Sequence, residues 1–374
     1  MKIFVIGARG FPNTIGGIEK HCEELYPRLS KKNNIEILVC AFKDDSQNQL
    51  SKWKDIKFKY FRTFNSNGFD KLYYAFKSII YAILVYKPDI IHFQGLNSTL
   101  FVPIARLFGI KVITTVHSRD YIYPKWNWIQ KRIIKFSEQC SKLSNITITV
   151  SEHDYYEYKL QYKNIHLIKN GVDIISNIDF NKKKYLEKYD LLSKKYIFTA
   201  ARFTKEKDLK IMIKAYNKLE TEYPLVIAGD GNTKYAQKIK ILAKKNKDII
   251  LTGFVSGDEL KTLFYNAKIF LLTSVNEVAV PISVLEAMSF KTEVLISDLE
   301  VNKILPLEFH NYFNTGDLND LVKKLKNTLL KTENKKIFEN RIEYLQLNHN
   351  WDLIANKTYD LYSHLHQIEE KNTL

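Results

Sequence analysis

At 374 residues and 45% hydrophobic content, the chain is long enough for two globular domains, each with its own core. Its formal net charge of +16 points to an anionic partner, although the lysines are spread along the whole chain with much Asn, Ile and Tyr, so a genome-composition bias stands as an equal reading. The odd set Cys22, Cys40 and Cys140 has no metal-ligand spacing and implies a reduced setting. No apolar run approaches the ~20 residues of a bilayer span, and Met1-Lys2 leads straight into a strand without a secretory signal.

Lys2 to Ile6 reads as a strand. The loop GARGFPNTIGG follows, then an amphipathic helix through Ile18, Cys22, Leu25 and Leu29. Gly7, Gly10, Gly16 and Gly17 let the backbone turn and approach a ligand closely, but the dinucleotide spacing G-x-G-x-x-G is absent. A plain strand–helix connection is the alternative. Four glycines and Arg9 within eleven residues argue against it.

Strands are expected at Ile35–Ala41, Ile56–Phe61, Ile90–Phe93 and Lys111–Val116. Helices are expected at Tyr73–Val85, with Ile79–Tyr86 buried, and at Leu100–Phe108, closed by Gly109. This alternation gives a doubly wound parallel sheet, whose ligands sit beyond the carboxyl ends of the strands. His92, Gly95, His117 and Arg119 fall there. Taken alone, His117 equally suits a satisfied histidine at a strand end.

Tyr121–Phe136 reads as a helix with Trp126, Ile129, Ile133 and Phe136 on one apolar face, ringed by Lys125, Lys131, Arg132 and Lys135. It either packs on its own domain with a solvated basic side or rests on an anionic membrane, and both can hold. Ile146–Val150 closes the first half. Ile165–Lys169 leads to the turn Asn170-Gly171-Val172-Asp173, and residues 181–193 form a linker with a short helix.

The second half restarts with strand Tyr196–Ala200. Arg202 and Lys207, at the strand end and helix start, suit two oxygens of a diphosphate; a solvated basic loop is the alternative. Strands follow at Leu225–Ala228, before Gly229-Asp230-Gly231, and at Ile249–Leu251 and Ile269–Leu272. Pro281 is placed as the first residue of a helix bearing Ile282, Leu285 and Met288, whose free N–H groups face a phosphate site. Glu277 before it and Glu286 within its first turns suit ribose hydroxyls, or are solvated glutamates at a helix start. Val294–Ile296 is the last evident strand. Helices Leu318–Leu330 and Lys336–Leu347 precede a final helix from Trp351.

Leu285-Glu286-Ala287-Met288 resembles the second half of the signature of family-four retaining glycosyltransferases, whose fold is GT-B and whose two glutamates flank seven residues. Here Glu277 leaves eight, so either the loop carries an insertion or Val278 replaces the first glutamate. The family's loop glycines are replaced by Val278-Ala279-Val280, and its later Gly and Pro by Lys291 and Glu293. The first glycine loop resembles that of bacterial surface-polysaccharide members of the capsule and O-antigen type. Arg202 with Lys207, Gly229-Asp230-Gly231 and the Asn170–Asp173 turn resemble further family features.

The resemblance implies an α/β protein of two facing Rossmann-like, doubly wound parallel-sheet domains. Residues 1–168 would be the acceptor domain and 169–350 the nucleotide-sugar donor domain, with a C-terminal helix, 351–374, crossing back to the first. It implies His117 and Glu277 as catalytic residues, with Gly16, Gly17, Arg202, Lys207, Gly229 and Glu286 on the donor. Arg9, His92 and Arg119 would line the acceptor side. The expected reaction is transfer, with retention, from a nucleotide-diphosphate sugar to a glycan or a polyprenyl-diphosphate-linked glycan in cell-surface polysaccharide synthesis. No Asp-x-Asp pair occurs, so no metal and no cofactor are expected, and no nucleic-acid module is present. The expected location is cytoplasmic, peripheral on the inner face of the plasma membrane through Lys125, Trp126, Lys131, Arg132 and Lys135. A sugar-nucleotide 2-epimerase and a non-catalytic nucleotide-sugar-binding relative are the alternatives; the LEAM match favours the transferase.

Overall fold

The computed structural model describes residues 1–14, 16–43, 49–63, 69–122, 126–174, 182–332 and 334–372. It divides into two compact units: Met1–Asn170 joined by the helix that starts at Trp351, and Gly171–Asn350.

The first unit runs β1 Lys2–Ile6, α1 Gly17–Leu29, β2 Glu36–Lys43, β3 Lys52–Trp53, β4 Ile56–Arg62, α2 Phe69–Tyr81, β5 Ile90–Gln94, α3 Val102–Leu107, β6 Lys111–Val116, α4 Trp128–Ser141, β7 Ile146–Thr149, α5 Glu152–Lys159 and β8 Ile165–Leu167. The second runs α6 Lys183–Glu187, β9 Ile197–Ala200, α7 Leu209–Lys218, β10 Leu225–Ala228, α8 Lys234–Ala243, β11 Ile249–Gly253, α9 Gly257–Asn266, β12 Ile269–Leu272, α10 Ile282–Ser289, β13 Glu293–Ser297, β14 Tyr312–Phe313, α11 Leu318–Leu329 and α12 Lys335–Asn348. The last helix, α13 Trp351–Asn372, belongs to the first unit.

The central strands are apolar on both faces because helices cover both. In β1, Ile3 and Val5 meet Leu25 and Tyr26 of α1 and Ile354 and Tyr362 of α13, while Phe4 and Ile6 meet Tyr74 and Ile79 of α2 and Val102 of α3. In the second unit Phe198 and Phe270 face Phe264 and Met288, and Ile197 and Leu271 face the cluster built by α7, α8 and α11. The first sheet is ordered β3-β4-β2-β1-β5-β6-β7-β8 and the second β11-β10-β9-β12-β13-β14. Among the described pairings only β3 with β4 is antiparallel. Chain direction through the sheet therefore reverses between β1 and β5, and between β9 and β12. At such switch points the flanking loops diverge and leave a crevice at the carboxyl edge.

Several boundaries differ from the sequence reading. Pro281 is the residue before α10, with extended ψ, so the helix starts at Ile282. The expected helix over Tyr73–Val85 ends at Tyr81 and continues as a π turn, Ala82–Tyr86. Ile79 and Ala82 are buried there, but Leu84 and Val85 lie at the surface. The helix expected from Tyr121 starts at Trp128, where Asn127 and Gln130 form a capping box. Its buried stripe is Ile134, Ser137, Glu138, Cys140 and Ser141, and Ile129 and Phe136 face outward. The expected apolar face is thus corrected. The stripe is polar because it is hydrogen-bonded: Thr99 Oγ1 donates to the Ser137 carbonyl at 2.7 Å, Ser141 meets the Tyr162 hydroxyl at 2.9 Å, and Tyr158 donates to Glu138. No helix among the described residues is long and apolar enough to cross a membrane.

Candidate functional site

In the second unit the switch point gathers the residues that follow β9 and β12. Val275 N–H donates to the Glu206 carbonyl at 2.9 Å, and Thr273 Oγ1 donates to the carbonyls of Lys207 and Asp208 at 3.0 and 3.1 Å. These bonds zip the two loops together and place Lys207 in a direct ion pair with Glu277. Both side chains are mostly shielded from water, so the pair is a preformed charge array. Glu277 therefore lies beside the lysine despite its extra residue of spacing, while Val278 takes no part in this pair. Arg202 is exposed at the same edge, and Glu286 is half-buried on α10.

Gly229 has φ 125°, and a Cβ there would sit 2.0 Å from the Ala201 carbonyl oxygen. The loops after β9 and β10 pack backbone to backbone here, tied by Ala201 N–H to Ala228 O and Phe203 N–H to Asp230 O, both at 3.0 Å. The glycine shapes the loop that carries Arg202. Asp230 pairs with Lys240 at 2.5 Å, which holds its carboxyl below the usual range.

In the first unit, Arg9 and Gly16 share one loop anchored by Glu19. Arg9 donates to Glu19 Oε1 through Nε at 2.9 Å and through its backbone N–H at 3.3 Å. A Cβ on Gly16 would meet Glu19 Oε2 at 1.8 Å, whereas one on Gly17 would meet nothing within 4 Å. Glu19 was not singled out from sequence; its signal was a carboxylate in the first turn of α1, 5% exposed in the fold.

His117 follows β6 and donates from Nε2 to Gln94 Oε1 at 2.7 Å. His21 packs edge-on against it, ring centroids 4.7 Å apart, and Trp351 backs His21 at 5.3 Å. His92 is wholly buried and enclosed by Tyr362, Tyr26 and Thr115 at 2.5, 3.1 and 2.8 Å. The expectation that His92 lines the acceptor side is corrected: a side chain enclosed in this way has no surface left for a substrate. Arg119 is bound by Asp154 at 2.8 Å and by Glu157, so its charge is committed within its own unit. His153, Asp154 and Glu157 offer ligand atoms within 4.8 Å of one another, but the Arg119 guanidinium already pairs with both carboxylates.

Burial, followed by the charge of neighbouring histidines, holds His92 and His117 at about 3 and lowers His21 well below its usual value. The unfolded chain takes up protons on these imidazoles below about pH 6.5 while the folded chain does not. The stability they contribute is complete above pH 6.5 and is lost as pH falls towards 3. Urea midpoints measured from pH 7.5 to 5 should fall, each histidine contributing about 1.4 kcal/mol per pH unit once well below 6.5. A flat or rising midpoint would contradict the neutral cluster.

Of the residues expected at a membrane, Lys125 lies outside the described residues. Trp126 is half-buried against the Leu96–Val116–Ile134–Tyr158 cluster, with Lys71 over its ring at 5.5 Å. It lines a small open pocket with Lys71, Leu72, Asn97, Gln130 and Ile133. The outward face of α4 is instead Trp128, Ile129, Arg132, Lys135 and Phe136, with Lys131 half-buried.

Two α/β units each carry polar residues at the switch point of a parallel sheet, where open sheets of this kind hold their ligands. Residues 15–175 match the family Glycosyltransferase Family 4, and residues 181–344 match Glycosyl transferases group 1. The chain therefore carries a family 4 glycosyltransferase domain followed by a group 1 glycosyltransferase domain, the two Rossmann-like domains of the GT-B fold. It is 26% identical over 279 residues to the sulfoquinovosyl transferase SQD2 of Arabidopsis thaliana, covering 69% of this chain and 53% of that protein. It is 32% identical over 108 residues to an uncharacterized glycosyltransferase of Methanocaldococcus jannaschii, covering 28% of this chain and 27% of that one. The matches thus span about half or less of these relatives. Among solved structures, the sucrose-phosphate synthase of Thermosynechococcus elongatus superposes with TM-score 0.82 at 16% identity, over 98% of this chain and 99% of that one. HepE of Anabaena in complex with UDP-glucose gives 0.79 at 15%, over 97% and 100%.

Proposed function

We propose that the protein is a retaining, metal-independent glycosyltransferase that moves a sugar from a nucleotide diphosphate to a glycan or lipid-linked glycan of the cell surface. The observation that carries the reading is the Lys207–Glu277 pair at the β9/β12 switch point, with Arg202 at the same edge. Two cations there suit a diphosphate leaving group, and a carboxylate held beside one of them can accept from sugar hydroxyls. Arg202 and Lys207 then neutralise the charge that develops as the anomeric bond breaks. His117 would be a further contact of the transferred sugar. SQD2 is named as a transferase of a sugar, and HepE was captured with UDP-glucose; both fit this chemistry.

A thermal-shift panel of nucleotide-diphosphate sugars tests it, since a ligand of the folded state raises the melting point. At least one should raise it, and equally so in excess EDTA. A shift that vanishes with chelation and returns with Mg²⁺ would refute metal independence, and no shift with any nucleotide would refute the donor site.

A lipid-linked acceptor requires approach to a bilayer. Support comes from α4, where Trp128, Ile129 and Phe136 are exposed beside Arg132 and Lys135, and from Leu107 and Phe108 at the end of α3. Three cations near an anionic surface contribute ~1 kcal/mol each, enough for weak, salt-sensitive docking. The wild type should co-sediment with anionic vesicles at low salt, and a Lys131→Glu, Arg132→Glu, Lys135→Glu variant should not. Equal binding by both would remove this surface from the account.

A further inference from the structure

We propose that Gln94 is a positioning residue that locks His117 into the Nε2–H tautomer, so that Nδ1 is left as a hydrogen-bond acceptor. The inference rests on the proposed function only for what Nδ1 would accept, a hydroxyl of the transferred sugar.

Gln94 ends β5 at the β1/β5 switch point, and its side chain is 2% exposed. Its Nε2 donates to the Tyr26 hydroxyl at 2.6 Å and lies 3.2 and 3.4 Å from His92 Nε2 and Nδ1. His92 Nε2 faces Thr115 Oγ1 and its Nδ1 faces the Tyr362 hydroxyl at 2.5 Å; both partners are hydroxyls, which donate or accept. With its Nε2 on the Tyr26 hydroxyl, the amide turns Oε1 to His117 Nε2 at 2.7 Å. An amide oxygen can only accept. Nε2 must therefore carry the proton, and Nδ1, which has no hydrogen-bond partner among the described residues, holds a lone pair.

The ring is also fixed in place. His21 packs edge-on against it, and Trp351 of α13 closes behind His21. The Gln94 carbonyl is held as well: a Cβ on Gly7 would meet it at 2.1 Å, so β1 and β5 are tightly apposed at this edge. Burial keeps the imidazole neutral, consistent with a group that accepts a hydrogen bond and does not donate a proton. Positioning by a buried partner on the far ring nitrogen is the logic by which a second residue fixes a histidine's tautomer in other sites.

The test uses the full chain labelled with 15N at histidine, read by long-range 1H–15N correlation of the imidazoles, with His117 assigned by the signal lost in His117→Gln. The wild type should show the Nε2–H pattern, without titration near pH 6.5. Gln94→Met removes the acceptor and should collapse the pattern to a mixture of tautomers. Gln94→Glu keeps the acceptor and adds charge, so it should retain Nε2–H and raise the pH at which His117 protonates. Thr115→Val cuts the network at His92 and should leave the His117 pattern intact. An Nδ1–H pattern in the wild type would overturn the proposal. So would an unchanged pattern in Gln94→Met or, should that variant not fold, an unchanged His117 titration in Gln94→Glu. These spectra need no substrate. If they come out as expected while no form turns over a nucleotide-sugar, the Gln94 assignment stands and the proposed function falls.

Discussion

Lys207→Ala should weaken nucleotide-sugar binding by about thirtyfold or more while leaving the fold intact. The loss has two sources that act in the same direction. On the proposed reading the lysine is a charge-assisted donor to the diphosphate, a contact of ~2 kcal/mol. Its removal also leaves Glu277 unpaired in a mostly shielded position, where the carboxylate repels the incoming anion. Glu277→Gln separates the two roles. It frees the lysine, so the diphosphate should bind at least as well, while turnover should fall because the sugar hydroxyls lose their charged acceptor. Calorimetry on both variants with the nucleotide-sugar that stabilises the wild type reads the difference. Equal affinity of Lys207→Ala and wild type would remove the diphosphate from this edge. Arg202→Ala should weaken binding as well, without the second effect, because Arg202 is exposed.

Arg341→Ala should be among the most destabilising single changes in the second unit, by ~3–5 kcal/mol, out of a total of about 5–15 for a typical domain. Arg341 on α12 is 1% exposed. It donates to Glu293 at the start of β13 at 3.4 Å and to Asn311 Oδ1 at 3.0 Å, and Asn311 donates back to Glu293 and to the Val294 carbonyl. Cutting the arginine at Cβ leaves a carboxylate and an amide without their cation and opens a cavity against Phe338, over which the guanidinium lies at 5.5 Å. Arg341→Met fills the space but not the charge, and should recover part of the loss. Chemical denaturation of both variants is the measurement. A change below 1 kcal/mol in Arg341→Ala would mean that Glu293 finds another partner, with His310, 3.9 Å away, the nearest candidate.

The sheets were legible in the sequence because buried parallel strands are written as apolar runs. Lys111–Val116, Leu225–Ala228 and Ile269–Leu272 stand at the expected bounds. The short edge strands β3, β8 and β14 carry two or three residues each and no such run, so only pairing reveals them. The face of α4 was misread because hydropathy places Ile129 and Phe136 inside, whereas the helix packs through Ser137, Glu138 and Ser141, whose cost of burial is met by tertiary hydrogen bonds. Arg202 and Lys207 could be read from their place after a strand. That Glu277 reaches Lys207 could not, since it depends on Thr273 and Val275 tying two distant loops. His92 looked like a site residue because it sits near a strand's carboxyl end; only the fold shows Tyr362, 270 residues away in sequence, closing over it.

The central claim is sugar transfer with retention from a nucleotide-sugar. Its most direct test is to incubate the purified protein with the nucleotide-sugar found in the thermal screen and a polyprenyl-diphosphate-linked glycan, in excess EDTA, and to follow the anomeric proton by NMR. The account predicts that donor is consumed with acceptor, and that the new glycosidic bond has the anomeric configuration of the donor. An inverted linkage, or an epimerised nucleotide-sugar formed without consumption of acceptor, would contradict it.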